Sequence, residues 1–366
     1  MEKFRIPPYT HPNFDESFLK NAPNATLVAV ETDGISPANY HALSVFPEYF
    51  KINGKWILAT ESRMDTVCVA NDEPGKESVR IVEFRNLKKG DKVVIGRTED
   101  GSEGIYVHTT GFETVEEQSD TFAFRSGRSR ETAFSIDYDK LYDILKYEKE
   151  HGGYVTWVLG SAVSLDRGSR AALESLVREG YINAILCGNA VAAFDLEQAV
   201  YKSTWGQKVF KYEQNTNTNY YRVINQARKS GSLEQFIKDY NVQDGFVKAC
   251  IDKSVPLVIA GAIRDRFTLP GTYDNFYQAQ DAMRKHTRKT STIIMVSAVL
   301  FTIATGNMTP SYNEFNGVIR PVYMYTIDIQ EFTVNKLSDR GTLTATSIVT
   351  NAQDFIKNVE RALTEK

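Results

Sequence analysis

Glycine stands beside small polar residues at four points in the second half of the chain: Gly160-Ser161-Ala162, Gly188-Asn189-Ala190, Gly261-Ala262-Ile263-Arg264-Asp265 and Gly306-Asn307-Met308. Each follows a short apolar run. The missing side chain lets backbone amides come close to a flat or phosphorylated ligand, although glycines that merely make turns would give the same pattern. No GxGxxG is present, so the dinucleotide fingerprint in its usual form is missing. Asp328 closes the run "VYMYTID", where a carboxylate either accepts from ribose hydroxyls or caps a following helix. "KLSDRG" brings Lys336, Asp339 and Arg340 into one turn, a cluster suited to proton transfer or to a solvated helix end. Nearer the N-terminus, "ETDGISPANYHA" and "RMDTV" place Asp33, Asn39 and Asp65 in polar turns of the kind that contact substrates.

These residues need a frame, and the apolar pattern supplies one. The runs "YVTWVLG", "INAILCG", "PLVIAG", "TIIMVSA", "PVYMYTIDI" and "ATSIVT" are nearly continuous in apolar residues, with amphipathic stretches such as "SRAALESLVREG" and "NFYQAQDAMRKHTRK" between them. Buried strands with helical crossovers predict an α/β domain, a Rossmann-like parallel sheet of about six strands with helices on both faces. Ligands of such sheets bind outside the carboxyl ends of the strands, where the glycines fall. The excursion over 189–255 carries helical patterns without a strand and predicts a lid or an interface. Before this domain, "ATLVAVE", "YFKINGKWILA", "DTVCVA", "SVRIVEF", "DKVVIG" and "EGIYVH" predict a small β domain, with an Asn53-Gly54 hairpin turn. The expected division is an N-terminal arm over 1–24, a small β domain on the substrate side over 25–135 and the Rossmann-like catalytic domain over 136–366.

A net charge of −3 with both signs scattered provides no basic stripe, which argues against nucleic acid as a partner. Cys68, Cys187 and Cys250 are widely spaced, without CxxC or nearby histidines, and read as buried thiols, with no metal site. The apolar stretch from Ile293 to Ala304 contains Ser297 and Thr302 and falls short of the roughly 20 residues that span a bilayer. It divides into a strand, "TIIMVS", a buried crossing, "AVLFTIAT", and a loop, "GNMTPS", expected to meet a ligand. "MEKFRIPPYTHPNF" lacks the basic and apolar regions of a secretory signal, so a cytoplasmic location without membrane attachment is expected. The arm and the helical excursion suggest a homo-oligomer, either a dimer or a tetramer.

The order of motifs is recognisable. "GYINAILCGNAVAAFDLEQAVYKSTWG", "INQARKSGSLEQFI", "VPLVIAGAIRDRFTLPGTYDNFYQAQDAMR", "IATGNMTPS" and "IDIQEFTVNKLSDRG" closely resemble the catalytic domain of the archaeal-type ornithine cyclodeaminases. That family is also known as lysine-ketoglutarate reductase/saccharopine dehydrogenase-related. "TDGISPANYHALSVFPEYFKINGKWI" with "RMDTVCVA" matches its preceding β domain, so the likeness covers about 25–366. The resemblance implies a deoxyhypusine synthase-like NAD-binding fold and conversion of L-ornithine to L-proline and ammonia, with hydride lent to NAD and returned. It implies NAD around Gly160, Ser161, Ala162, Gly188, Asn189, Ala190, Gly261, Arg264, Gly306, Asn307, Met308 and Asp328. Asp265, Lys336 and Asp339 become candidates for acid–base work on the amino-acid substrate, and Asp33, Asn39, Asp65 and Tyr220 for holding it. Some positions depart from the family. Where it carries histidines this chain has Leu165, Phe194, Tyr220 and Phe301, and its connector "FAFRSGRSR" exchanges acids for Arg125, Arg128 and Arg130. Imidazole is the side chain best suited to shuttling protons near neutral pH. The loss leaves two alternatives open: a divergent dehydrogenase or imine reductase making an opine-like or cyclic amine, and a catalytically silent nucleotide-binding partner or sensor.

Overall fold

A computed structural model of the chain describes residues 4–112, 130–202, 218–263, 265–330 and 342–365. After a short helix, α1 (Ser17–Lys20), the chain forms β1 (Thr26–Ala29), β2 (Glu48–Ile52), β3 (Lys55–Leu58), β4 (Thr66–Asn71), β5 (Ser78–Glu83), β6 (Lys92–Ile95) and β7 (Ile105–Val107). They make two antiparallel sheets, in the orders β1-β6-β4-β5 and β3-β2-β7. The β2–β3 turn is the predicted one: Asn53 and Gly54 have φ of 48° and 82°, the mirror-image turn that matches strand twist.

The second part alternates. It comprises α2 (Arg130–Glu150), β8 (Val155–Leu159), α3 (Ala162–Leu165), α4 (Arg167–Arg178), β9 (Ala184–Gly188), α5 (Asn189–Tyr201), α6 (Thr218–Ser230), α7 (Leu233–Asp239), α8 (Phe246–Asp252) and β10 (Leu257–Ala260). Then come α9 (Phe276–Thr287), β11 (Thr292–Val296), α10 (Val299–Met308), the hairpin β12 (Tyr312–Phe315) and β13 (Val318–Pro321), β14 (Tyr323–Asp328), β15 (Ala345–Val349) and α11 (Ala352–Thr364). Six strands form one parallel sheet ordered β10-β9-β8-β11-β14-β15. Counting within the sheet, that is 3-2-1-4-5-6, the doubly wound order whose ligand crevice lies at the carboxyl ends of the first and fourth strands, here β8 and β11.

Alternation along the strands sorts the core onto two faces. Val155, Trp157, Leu159, Ile294 and Val296 pack with Leu141 of α2, Leu173 of α4, Leu196 of α5 and Phe355 of α11. Val158, Ile293 and Met295 point the other way, toward Met283 of α9 and Met308 of α10. The excursion over 189–255 is not a lid in its described part. Leu196, Val223, Phe236 and Phe246 are buried in the same cluster as β8: α5 packs on β9 and β10, α6 on α5, α7 on α6, and α8 on α4 and α5.

Polar contacts join the two parts. Tyr312 Oη donates to the Ala59 carbonyl at 2.7 Å, and Arg288 at the end of α9 pairs with Glu61 at 2.5 Å. No helix of the described residues is long and apolar enough to cross a membrane. All three cysteines are free and buried, and burial pushes each thiol up.

Candidate functional site

At the carboxyl edge of the parallel sheet two of the longer helix starts lie open. α4, α7, α9 and α11 each receive a side-chain cap, from Asp166, Ser232, Asn275 and Asn351 respectively. α5 and α10, which begin where β9 and β11 end, follow Gly188 and Ala298 and have no side-chain cap. Their first amides, with the positive end of each helix dipole, are suited to an anionic group. At the crevice itself the loops after β8 and β11 touch. Gly160 N–H donates to the Val296 carbonyl at 2.8 Å, and a Cβ at Gly160 would sit 1.7 Å from the Ser297 carbonyl oxygen. Only glycine fits there.

Several predicted residues meet at this edge. Ser161 and Ala162 open the short α3, and Asn189 and Ala190 the first turn of α5. Asn189 is 1% exposed and ties a loop to a helix: its Oδ1 accepts the Leu269 N–H at 2.9 Å and its Nδ2 donates to Tyr220 Oη of α6 at 3.4 Å. Gly261 follows β10, and its N–H donates to the Tyr273 carbonyl at 2.9 Å. Asp265 lies in the turn just beyond, where its Oδ2 accepts the Ala262 N–H at 2.8 Å. Asp328 ends β14 and is buried, with Oδ1 accepting from Gln330 N–H at 3.0 Å. It caps its own turn and stands at the sheet edge.

Others lie elsewhere. Gly306, Asn307 and Met308 are not in a loop; they form the last turn of α10, which starts at the carboxyl edge and returns along the sheet. A helix of ten residues runs about 15 Å, and the Met308 carbonyl accepts from Thr287 Oγ1 at the end of α9, the amino side of β11. What ends the helix is Thr309, driven to an extended ψ of 129° by Pro310 behind it. A cavity of about 40 Å³, room for one water, separates Gly306 and Asn307 from Ser44, Ser62 and Arg63 of the β region. Asp33 is exposed and engaged by Lys89 N–H at 2.8 Å and Lys88 Nζ at 3.0 Å, which hold its carboxyl below the ordinary range. Asn39 and Asp65 sit in exposed turns at φ of 58° and 55°, the first accepting from Arg97 at 3.2 Å. The three do not converge. Arg264, Lys336 and Asp339 lie outside the described residues, as do Arg125 and Arg128.

The sequence reading missed a convergence of rings. Phe194 of α5 lies 5.0 Å from Tyr220, Tyr220 5.2 Å from Tyr221, and Tyr221 stacks on Phe267 at 5.5 Å. From the opposite face of the sheet, Phe301 of α10 approaches Gly188, where a Cβ would stand 3.6 Å from its ring. All five rings are half-buried. The aromatic count of the 189–301 region was the available signal, but residues far apart in sequence meet only through the crossover geometry. None of the chain's five histidines, at 11, 41, 108, 151 and 286, lies on the elements that bear these rings.

A second missed feature is a buried acid beneath this layer. Asp195 accepts from Arg170 Nε at 2.6 Å and from the Phe246 and Val247 amides at 3.3 and 3.1 Å, so it caps α8 from a distance. Burial pushes its carboxyl up to about 6 against the pull of Arg170 and those amides.

Strand order, open helix starts and the glycine-lined crevice define a doubly wound α/β protein of the Rossmann type. This chain belongs to the arginine dihydrolase ArgZ-like C-terminal family: its Rossmann-fold region matches residues 140–359 and its first region residues 47–133. The chain is 30% identical over 349 residues to ornithine cyclodeaminase of Methanococcus maripaludis, covering 92% of this chain and 80% of that one. It is 29% identical over 345 residues to the bifunctional arginine dihydrolase/ornithine cyclodeaminase AgrE of Nostoc, covering 93% and 47% respectively. It thus spans about half the length of that relative. Among solved structures, a LOR/SDH protein from Methanococcus maripaludis has a TM-score of 0.79 at 30% identity, covering 93% of this chain and 98% of that chain. The ternary complex of AgrE with ornithine and NAD+ has a TM-score of 0.57 at 28% identity, covering 94% and 46%.

Proposed function

We propose that this chain is an NAD-dependent cyclodeaminase of a diamino acid, converting L-ornithine or a close analogue to L-proline or its counterpart with release of ammonia. The observation that carries the reading is the pair of uncapped helices, α5 and α10, opening at the crevice of a 3-2-1-4-5-6 sheet in a chain of this family. The residues present fit NAD. The amides opening α5 and α10 would hold its phosphates, Gly160 would let the loops after β8 and β11 close beside it, the bare Gly188 would let it approach the backbone, and Asp328 would accept from a ribose hydroxyl. When bound, NAD supplies a reversible hydride acceptor, so that the amine-bearing carbon is oxidised and the cyclic imine later reduced with no net redox change.

The protein's own work is to orient the amino acid against the edge and to move protons. Asn189 fixes the Tyr220 hydroxyl and the loop bearing Phe267 on one side of the site. Asp265, Lys336 and Asp339 are the proposed acid–base groups, with Tyr220 the proposed substrate contact. The residues over 25–135 are proposed as a β domain on the substrate side, and the enzyme as a cytoplasmic homo-oligomer. Incubation with NAD and L-ornithine, followed by proton NMR for proline and an ammonia assay, tests the reading. Equimolar proline and ammonia are the expected result, and neither product sinks it.

A further inference from the structure

We propose that the N-terminal arm is a strap across the two parts of the chain, latched by a line of hydrogen bonds that one charged imidazole can join and two cannot. Phe4 anchors one end on the parallel-sheet part, its ring centroid 5.4 Å from that of Tyr147 in α2 and 5.7 Å from that of Tyr323 at the start of β14. Pro7 and Pro8, whose rings fix the backbone, follow it. The other end lies on the β region. Tyr9 bridges to Phe112, Thr10 N–H donates to the Gly111 carbonyl at 2.7 Å, and Phe14 stacks on Trp56 of β3 at 5.8 Å. Gly111 permits the close fit, since a Cβ there would stand 2.3 Å from the Tyr9 ring.

At the latch four polar atoms run in line: His11 Nδ1 to Tyr49 Oη at 2.8 Å, Tyr49 Oη to Tyr9 Oη at 2.8 Å, and Tyr9 Oη to His108 Nδ1 at 3.1 Å. Three contacts need three protons. The two hydroxyls supply two, so one Nδ1 must carry a proton and the other must accept one. Either direction closes the line. When both imidazoles are protonated, four protons meet three contacts and one pair must face donor to donor. Burial, and then the neighbouring His11, hold the His108 imidazole below its ordinary 6.5. The latched form therefore takes up this proton less readily than a released one, so latching is complete above about pH 6.5 and weakens as pH falls below it. Among the described residues, the charged groups around the latch are engaged elsewhere or exposed. On the arm, Asp15 is exposed beside Lys20, and Glu16 acts on Tyr106 of β7, whose ring stacks on His108. On β2, Glu48 bonds to His41 and Lys51 donates to the Leu19, Lys20 and Ala22 carbonyls; on β3, Lys55 pairs with Glu77. Before β7, Glu99 is exposed and Asp100 accepts from Ser102, and from β12 Tyr312 donates to the Ala59 carbonyl. Acid thereby frees the β region, the part proposed on the substrate side, from one of its ties to the parallel sheet.

The test is amide hydrogen exchange on the full chain from pH 7.5 to 5.5, each rate divided by that of unstructured peptide at the same pH. It needs no substrate, so it stands apart from the cyclodeaminase reading. In the wild type, protection of the Thr10 amide should fall by up to about tenfold per pH unit below 6.5, the slope of one linked proton. Protection of the Ser311 amide, which donates across the two parts to the Ser62 carbonyl at 3.2 Å, should fall with it. His11→Asn, at an exposed position, sets an amide where Nδ1 stands. The amide donates or accepts without titrating, so the line keeps three protons at either pH and both backbone amides stay protected at pH 5.5. This variant also controls for Asp195, which burial brings to about 6 and which titrates in the same range. His108→Asn gives the same reading from the other end should the first variant not latch at pH 7.5. A Thr10 amide that does not respond to pH in the wild type, or that opens equally in the Asn variants, overturns the latch. A Thr10 amide that opens in acid while Ser311 stays closed overturns the strap.

Discussion

Arg284 of α9 reaches the Glu83 carboxylate at 3.0 Å, and Arg63 pairs with the same carboxylate from inside the β region. Burial pushes the Glu83 carboxyl up, but the two guanidiniums outweigh it and hold it at about 2, down from an ordinary 4.5. The folded form therefore binds this proton less readily than the unfolded chain. The contribution is complete above about pH 4.5 and is lost as pH falls toward 2. Urea midpoints measured from pH 6 down to 3 should fall in the wild type and fall less in Glu83→Gln. Parallel pH slopes for the two proteins would show that Glu83 is not the group responsible.

Gly160 and Gly188 both end strands at the crevice, yet they should respond differently to alanine. At Gly160 the added carbon would be 1.7 Å from backbone, so the loops after β8 and β11 must separate; a loss of roughly 2 kcal/mol or more is expected in urea unfolding. At Gly188 the nearest atom is a Phe301 ring carbon at 3.6 Å and φ is an ordinary −83°. Gly188→Ala should fold within about 1 kcal/mol of the wild type while weakening NAD binding, followed by fluorescence titration. Equal stability of the two variants would remove the close approach at Gly160.

The six parallel strands were legible because each is a buried apolar run bounded by turn residues, and the seven strands of the β region because they are short β-type runs broken by turn signals. The hairpin β12–β13 escaped, although Asn316-Gly317, at φ of 52° and 79°, is the same turn signature as Asn53-Gly54. Its flanks, "YNEF" and "VIRP", mix apolar and charged residues, and Arg320 is buried. The glycines at 160, 188 and 261 were placed correctly at strand ends, since strand position alone decides that. Gly306-Asn307-Met308 was not, because a glycine inside an apolar run does not say whether the helix stops there, and here Pro310 stops it. The convergence of rings depends on which helices cross which face, and a single sequence does not carry that information.

At the amino side of the sheet, Arg320 and Glu148 are 3% and 0% exposed in their side chains and pair at 2.6 Å, with Thr292 Oγ1 donating to Glu148 at 2.8 Å. Removing one partner leaves an uncompensated buried charge. Arg320→Met alone should cost about 3–5 kcal/mol, whereas Arg320→Met with Glu148→Leu should recover most of that loss. A double-mutant cycle in urea decides: additive losses would mean that the two side chains are not coupled.

Asn189 separates a stability role from a binding role, since its two polar atoms go to different elements, Oδ1 to the loop bearing Leu269 and Nδ2 to Tyr220 of α6. Asn189→Leu orphans the buried Leu269 amide and should cost about 1–3 kcal/mol. Asn189→Asp keeps that acceptor and should lose much less stability. It replaces the donor toward Tyr220 with a second acceptor, so the Tyr220 hydroxyl must turn to donate, and it puts a negative charge at the start of α5. If the first amides of α5 hold the phosphates of NAD, that charge repels them, and NAD affinity in Asn189→Asp should fall by about tenfold or more, with the loss growing at low salt. Differential scanning fluorimetry gives the first comparison and fluorescence titration at two ionic strengths the second. Unchanged NAD affinity in Asn189→Asp would move the cofactor's phosphates away from α5 and leave α10 as the only one of the two open helix starts to hold them.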